Sequence, residues 1–356
     1  MRWHVAVLLG ATVAGIVGSG CERGTPTDEP FFGEDRPTDR PTDAPDSGTT
    51  ATGDTGTTPT GPTLRVVAWN VEGLGTEGSA DWLAVRDVLG RLDGDVVGLS
   101  EVFPEESAAL TALAGALGYG EVRLGIGTPF GDMRNAVLSR ISGSVTRSHA
   151  SRVLSGDAAA EDVTRAPVSA VVDAPWGGTL AIAVQHGKAG FDDVDEFRRL
   201  IDVRRTAQAA EDGAAGDRVV MGDINEDPRE VADAPRSPIT FTRLPGGLPA
   251  SFRLGEDLEP ELSSGLTNDP FRVLADRGLL PIEATQRDGR VATRDSGRWI
   301  DHVLISSGLR AVGSEIYDST DEGQPGGVPK AGDALPRPTV RNASDHLPVV
   351  VDLTRG

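Results

Sequence analysis

From Leu64 onward the sequence predicts an α+β protein, with two packed sheets carrying helices on their outer faces. Two observations lead there. Strand-like apolar runs outnumber helical ones, and the few helical stretches stop at glycine or fall between strands rather than alternating strictly with them. LRVVAWNVE (64–72) reads as a buried strand. ADWLAVRDVLGRLDG (80–94) sets Trp82, Val85, Leu89 and Leu92 at helical spacing and ends at Gly94. DVVGLSEVF (95–103) is a second strand, and EESAALTALAGALGYG a helix closed by glycine. EVRLGI, RNAVLSR, APVSAVVDAP and TLAIAVQH follow as strands separated by Gly, Pro or Asp. VDEFRRLIDVRRTAQAAEDG (194–213) is a long amphipathic helix, and RVVMGDIN a strand. Residues 226–268 are rich in Pro and Gly and read as an irregular surface excursion. FRVLADRGLL is a short helix, and WIDHVLIS and LPVVVDL are closing strands.

The residues before Leu64 have a different character. Residues 1–20, MRWHVAVLLGATVAGIVGSG, place Arg2 before an apolar run and small residues, the pattern of a signal peptide. GSGC resembles the bacterial lipobox, with Gly18 standing where that motif prefers Leu or Val. The resemblance implies lipidation of Cys21, a membrane partner through that anchor, and an extracytoplasmic protein held on the cell envelope or secreted. Residues 21–63 are Thr, Pro, Asp and Gly with almost no large apolar side chain, too little to offset chain entropy, and read as a disordered tether. The folded domain is therefore residues 64–356, expected as a monomer.

The chain carries a formal charge of -20, and its only lysines are Lys188 and Lys330. Such an acidic surface repels phosphate backbones unless metal ions or local arginines intervene, which excludes tight metal-free binding to nucleic acid. No run of Arg and Lys with interleaved aromatics marks a groove. Cys21 is the single cysteine, so no intrachain disulfide forms. The sequence holds no P-loop, HExxH, CxxC pair or G-x-S-x-G, leaving NTPase, zinc and serine-hydrolase readings without support.

Several predicted strands end in groups that a core does not need. Asn70 ends the first and Glu101 the second; His186 ends TLAIAVQH; Asp223 and Asn225 end RVVMGDIN. Asp301-His302 lies in WIDHVLIS, and Asp345-His346 opens the last strand. Singly each is a turn former or cap. Together, at one edge of a sheet, they would offer oxygen ligands and acid–base capacity.

WN at 69–70, SE at 100–101, RNAVLSR at 134–140, QHGKAG at 185–190, GDIN at 222–225, IDHV at 300–303 and SDH at 344–346 are similar, in order and context, to the endonuclease/exonuclease/phosphatase superfamily. That resemblance spans roughly Leu64 to Leu353. It implies a four-layer α/β sandwich with two central, mainly antiparallel sheets. It also implies that Glu101 is the principal metal carboxylate, with Asn70 and Asp345 on the metal side. Asp223 would position or deprotonate the attacking water, with Asn225 beside it on the phosphate. His346 would be the catalytic imidazole and Asp301 the acid that orients it. His186 would protonate the leaving oxygen or stabilise the charged phosphorane. His302, one residue along a strand, would point away. Asn135, Arg165 and Lys188 are further candidates for phosphate contact or support.

The implied cofactor is a divalent metal, Mg²⁺ before Mn²⁺ or Ca²⁺, because a hard cation on oxygen ligands neutralises the anionic ester. The implied substrate is a phosphodiester: DNA or RNA first, with a phospholipid head group or a small diester as alternatives. A sphingomyelinase would need an exposed apolar hairpin, for which Phe241, Leu244, Leu248, Phe252 and Leu254 are available. The rival of another class is a catalytically silent surface binding protein, whose signature would be loss of the motif acids and histidines; none is lost.

Overall fold

The computed structural model describes residues 61–213, 215–229 and 237–356. The expectations for the leader, for Cys21 and for nearly all of the tether fall outside those residues. The first half of the domain runs β1 (Leu64–Asn70), α1 (Ala80–Leu92), β2 (Val96–Val102), α2 (Ser107–Leu117), β3 (Glu121–Leu124), β4 (Arg134–Ser139), β5 (Val145–Ser148), α3 (Ser151–Ser155), β6 (Val168–Asp173) and β7 (Thr179–His186). The second half runs α4 (Asp193–Asp212), β8 (Asp217–Asp223), β9 (Thr240–Phe241), α5 (Glu259–Ser264), β10 (Leu266–Thr267), α6 (Pro270–Asp276), β11 (Leu279–Pro281), β12 (Asp301–Ser306), β13 (Leu309–Ile316), α7 (Thr339–Ala343) and β14 (Val349–Arg355).

Two six-stranded sheets result. Sheet I has the order β13-β14-β1-β2-β4-β3 and sheet II the order β11-β12-β8-β7-β6-β5. Each contains one parallel pair, β1 with β2 and β7 with β8. A parallel pair needs a crossover, and the two connecting segments are α1 and α4. Ser79 caps α1, its side chain accepting from the Trp82 amide, and Asp192 caps α4 through the Asp195 amide. The sheets face one another through a shared apolar core that joins Val137 to Val184 and Met221. Gly98 marks the closest approach: a Cβ there would stand 2.7 Å from Val184 Cγ2 and 2.8 Å from Met221 Cε. The packing matches the expected sandwich, with α1 buried against sheet I and α4 against sheet II.

Two expectations need correction, and one cause explains both. The described part of the 226–268 excursion is not a surface loop. Phe241, Phe252, Leu258 and Leu262 are buried, and Leu248 and Leu254 pack against them. It covers the outer face of α4, with the Phe197 ring 5.2 Å from Phe241 and 6.0 Å from Phe252. Helix α4 therefore buries its charged face too. Arg199 and Arg205 are fully enclosed, Arg205 between Asp162 and Asp257 and Arg199 between Glu196 and Glu226. An amphipathic pattern cannot reveal burial by ion pairing.

Candidate active site

The register of the strands builds the site. In sheet II, Asp223 pairs with His186 on one side and with Asp301 on the other, so three chemical groups share one row. In sheet I, Asn70 pairs with Ser100 at the matching end. The SDH segment is fastened across that end: Trp69 Nε1 donates to the His346 carbonyl at 2.9 Å and Ser344 Oγ to the Asn70 carbonyl at 2.7 Å.

Glu101 reaches the site through an irregular backbone. Ser100 Oγ donates to the Gln185 carbonyl, so Ser100 faces sheet II and alternation would turn Glu101 away. The pairing of β2 with β4 shifts register between Leu99 and Val102, and Glu101 takes φ 59°. Such a left-handed non-glycine costs about 1–3 kcal/mol, and it brings the carboxylate back towards Asn70. Asn225 carries the same distortion at φ 58°.

Asn70 Nδ2 donates to Glu101 Oε1 at 3.0 Å and to Asp223 Oδ2 at 3.1 Å. His186 Nε2 stands 3.5 Å and 3.6 Å from the same two oxygens. Two carboxylates thus converge on one amide, without an Arg or Lys pairing either among the described residues. This donor set fits a hard divalent cation, since Glu101 and Asp223 offer carboxylate oxygens and His186 a nitrogen within 4.8 Å of one another, while Asn70 turns its Nδ2 towards them and its Oδ1 accepts from the Glu72 amide. Burial and the Asp301 charge push the Asp223 carboxyl up to about 6, against the opposing pull of His346, Asn70 and the Asn225 amide.

Across from them, His346 Nδ1 lies 2.8 Å from Asp301 Oδ2 and His346 Nε2 lies 3.4 Å from Asp345 Oδ1. Thr293 Oγ1 accepts from the Asp301 amide and fixes its backbone. Burial alone would lower His346, but Asp301, Asp223 and Asp345 outweigh it and raise the imidazole to about 10. His186 goes the other way. Burial, with Arg165, His346 and Lys188 nearby, takes it well below its ordinary range and leaves a neutral ring. Of its two expected roles, a neutral imidazole suits hydrogen bonding to a charged phosphorane better than protonating a leaving oxygen.

Asn70, Glu101, His186, Asp223, Asn225, Asp301, Asp345 and His346 are therefore brought together. Asn225 Nδ2 and Arg165 Nη1 both donate to the Gly187 carbonyl, at 3.1 Å and 2.8 Å, so Arg165 braces the loop after His186. Asn135 is buried and donates to the Ala166 carbonyl, next to Arg165, a supporting place rather than a phosphate contact. The Lys188 ammonium pairs with Asp195 at 2.7 Å, which does not place it on the phosphate. His302 does point away: Nε2 meets the carbonyls of Glu226 and Trp299, and the ring packs on Phe271 and Trp299.

Sequence reasoning missed two residues. Arg294 holds Asp345 Oδ2 at 2.8 Å, taking half of a carboxylate assigned to the metal side. Asp202, buried on α4, accepts from the amides of Thr164 at 2.6 Å and Lys188 at 3.0 Å, the neighbours of Arg165 and Gly187. Neither sits at a strand end, the position that marks the other site residues in the sequence.

Comparison with known proteins agrees with this geometry. No curated protein sequence matches the chain. Among solved structures, an endonuclease/exonuclease/phosphatase from Beutenbergia cavernae DSM 12333 superposes with TM-score 0.52 at 18% identity, over 83% of this chain and 72% of that one. A D. rerio TDP2 humanized by 14 mutations superposes with TM-score 0.50 at 16% identity, over 82% and 99%. At such identities these likenesses speak for the fold. Residues 67–346 match the sequence profile of the Endonuclease/Exonuclease/phosphatase family. The chain belongs to that family, whose members use divalent metals, and is a phosphoric ester hydrolase.

Proposed function

We propose that the chain is an extracytoplasmic nuclease that hydrolyses the phosphodiesters of DNA or RNA, with Mg²⁺ as its metal. The observation that carries the chemistry is the convergence of Glu101 and Asp223 on Asn70, facing the His346–Asp301 pair. A divalent cation held by Glu101, beside the Asn70 amide, would neutralise the ester's charge when bound. Asp223, poised at about 6, orients the attacking water and takes its proton. His346, held as imidazolium by Asp301, faces the phosphate as a cation and proton donor. Asn225 and neutral His186 supply hydrogen bonds to phosphate oxygens.

The excursion bears on the choice of substrate. A lipid-cleaving relative would want its apolar side chains free, yet Phe241 and Phe252 are packed on α4 and only Leu244 of that set is exposed. This favours a soluble diester over a membrane lipid. The leader-like residues 1–20 and Cys21 support export and anchoring; an acyl mass on the mature N-terminus is expected, and its absence would leave plain secretion.

The deciding experiment assays bis-(p-nitrophenyl) phosphate, plasmid DNA and sphingomyelin in parallel, with Mg²⁺, Mn²⁺, Ca²⁺ or EDTA. Metal-dependent cleavage of DNA, lost in Glu101→Ala and His346→Ala, is the expected result. Cleavage of sphingomyelin alone would replace the nuclease reading, and no cleavage by folded, metal-loaded protein would favour a silent binding role.

A further inference from the structure

We propose that a cavity next to His346, ringed by four arginines, binds a second phosphate of the substrate, separate from the one that is cleaved. The proposal rests on the phosphodiesterase reading and narrows it to substrates with more than one phosphate.

The cavity encloses about 390 Å³ and is lined by Arg229, Arg290, Arg294 and Arg341, with Gln286 and Leu347 on its wall. These arginines come from three segments, around 229, 290–294 and 341, of a chain that has 54 acidic against 34 basic residues, so their meeting runs against composition. No run along the sequence announces it; the fold assembles it.

Its position ties it to catalysis. Leu347 follows His346 directly, and the Leu347 amide donates to the Thr293 carbonyl at 2.7 Å. The Asp295 amide donates to the Asp345 carbonyl at 2.9 Å, and Arg294 forms an isolated bridge with His346. Arg294 itself spans the two regions, its Nε 2.9 Å from Asp345 Oδ2 while its side chain lines the cavity. Arg229 comes from the segment just beyond Asp223 and Asn225, and its Nη2 approaches the Gly297 carbonyl. The proposal requires a substrate that extends from the catalytic centre past His346 into this cavity.

The guanidinium groups are held from behind. Asp227 grips Arg229 through both Nε and Nη2, Asp288 holds Arg290 through Nε, Asp345 holds Arg294, and Asp318 and Asp295 hold Arg341. Asp295, already paired with Arg341, is the one acid among the described residues of the cavity wall. Fixing one edge of a guanidinium removes rotamer freedom and leaves its other N–H groups unspent. Among the described residues, Nη1 of Arg229, Nη1 of Arg294 and both Nη atoms of Arg290 have no protein acceptor. Forked donors around a small space match the several oxygens of a phosphate, and a mixed wall of Arg and Gln with one neutralised acid disfavours a cation or an apolar group. A nucleic-acid backbone and a polyphosphorylated head group would both supply the second phosphate.

The test uses the full chain and Arg229→Ala and Arg290→Ala, singly and together; Arg290 is 56% exposed and its partner Asp288 35%, so Arg290→Ala is the variant expected to fold unperturbed and the control for Arg229→Ala, which strands the buried Asp227. Three substrates are compared in the presence of Mg²⁺: bis-(p-nitrophenyl) phosphate with one phosphate, a short single-stranded oligodeoxynucleotide, and vesicles containing a bisphosphorylated inositol lipid. For the physiological type of substrate, the preference over bis-(p-nitrophenyl) phosphate, as a ratio of kcat/KM, should fall about tenfold per arginine removed, chiefly in KM. The slope of log KM against log salt should shrink by about one per arginine. Loss of preference for the oligonucleotide identifies a nucleic-acid backbone; loss for the lipid alone identifies the head group and sinks the nuclease reading while keeping the cavity. An unchanged ratio for both overturns the proposal. Titration with inorganic pyrophosphate in EDTA reads the cavity without turnover, and equal binding by wild type and double variant would overturn it even if no substrate were cleaved.

Discussion

His346 Nδ1 lies 2.8 Å from Asp301 Oδ2, a bond that crosses from one sheet to the other. Asp301 opens β12 of sheet II, whereas His346 sits just before β14 of sheet I. The imidazole is therefore oriented by the packing of the sandwich rather than by its own strand. Asp301→Asn keeps the shape and removes the charge that holds the ring as imidazolium. We expect kcat to fall by about 10²–10⁴, the usual worth of a positioned acid–base group, with a much smaller change in KM. Single-turnover rates at saturating substrate would check this, and a change confined to KM would show that the pair serves binding alone.

The two Asp-His dipeptides provide an internal control. His302 is fully buried, and burial lowers it to about 4, so it stays neutral on the apolar side of sheet II. His302→Ala should leave a cavity beside Phe271 and Trp299 and cost about 2–4 kcal/mol of stability, with most of the activity retained in the protein that remains folded. His346→Ala should do the reverse. Urea unfolding set beside kcat for both variants separates the roles, and equal losses of activity would defeat the assignment.

The metal reading has a signature that needs no substrate. A cation that binds only the folded state stabilises it by about 2.7 kcal/mol at a hundred times its Kd. Mg²⁺ or Mn²⁺ should therefore raise Tm of the wild type, while Glu101→Gln should shift little, because it removes the 20% exposed carboxylate that no arginine or lysine neutralises among the described residues. An identical rise in both proteins would move the metal elsewhere.

Much of this site was legible because strand ends carry a positional signal. An Asn, Glu, Asp or His that closes an apolar run has no business in a core, and Asn70, Glu101, His186 and Asp223 all stood out on that ground. The dyad was readable only through family resemblance, since nothing local distinguishes Asp301-His302 from Asp345-His346. The backbone reversal at Glu101 was not legible, because a bulge depends on the partner strand β4. Burial of Arg199 and Arg205 on α4 was hidden for a similar reason: their partners Asp162, Glu226 and Asp257 lie far along the chain. The arginine-lined cavity belongs to the same class, an arrangement of long-range contacts with no run of basic residues to mark it.

Asp202 offers the last prediction, because its effects on stability and on activity have separate signs. Burial raises its carboxyl from 3.8 to about 6, opposed by the Thr164 amide and by the charges of Arg165 and Arg198. In the unfolded chain it ionises near the ordinary value. Between about pH 4 and pH 6 the folded state therefore holds a proton that the unfolded state has released, and stability falls as pH rises through that window. Asp202→Asn carries no titrating proton and should flatten this part of the profile, read as the urea midpoint from pH 4 to 7. The same substitution turns one of two acceptors into a donor facing the amides of Thr164 or Lys188, which loosens the loops bearing Arg165 and His186. Near neutral pH we expect kcat to fall about tenfold, and the loss to shrink in an Arg165→Ala background because the two residues act on one loop. An unchanged pH slope would remove the buried-proton account, and fully additive losses would remove the positioning one.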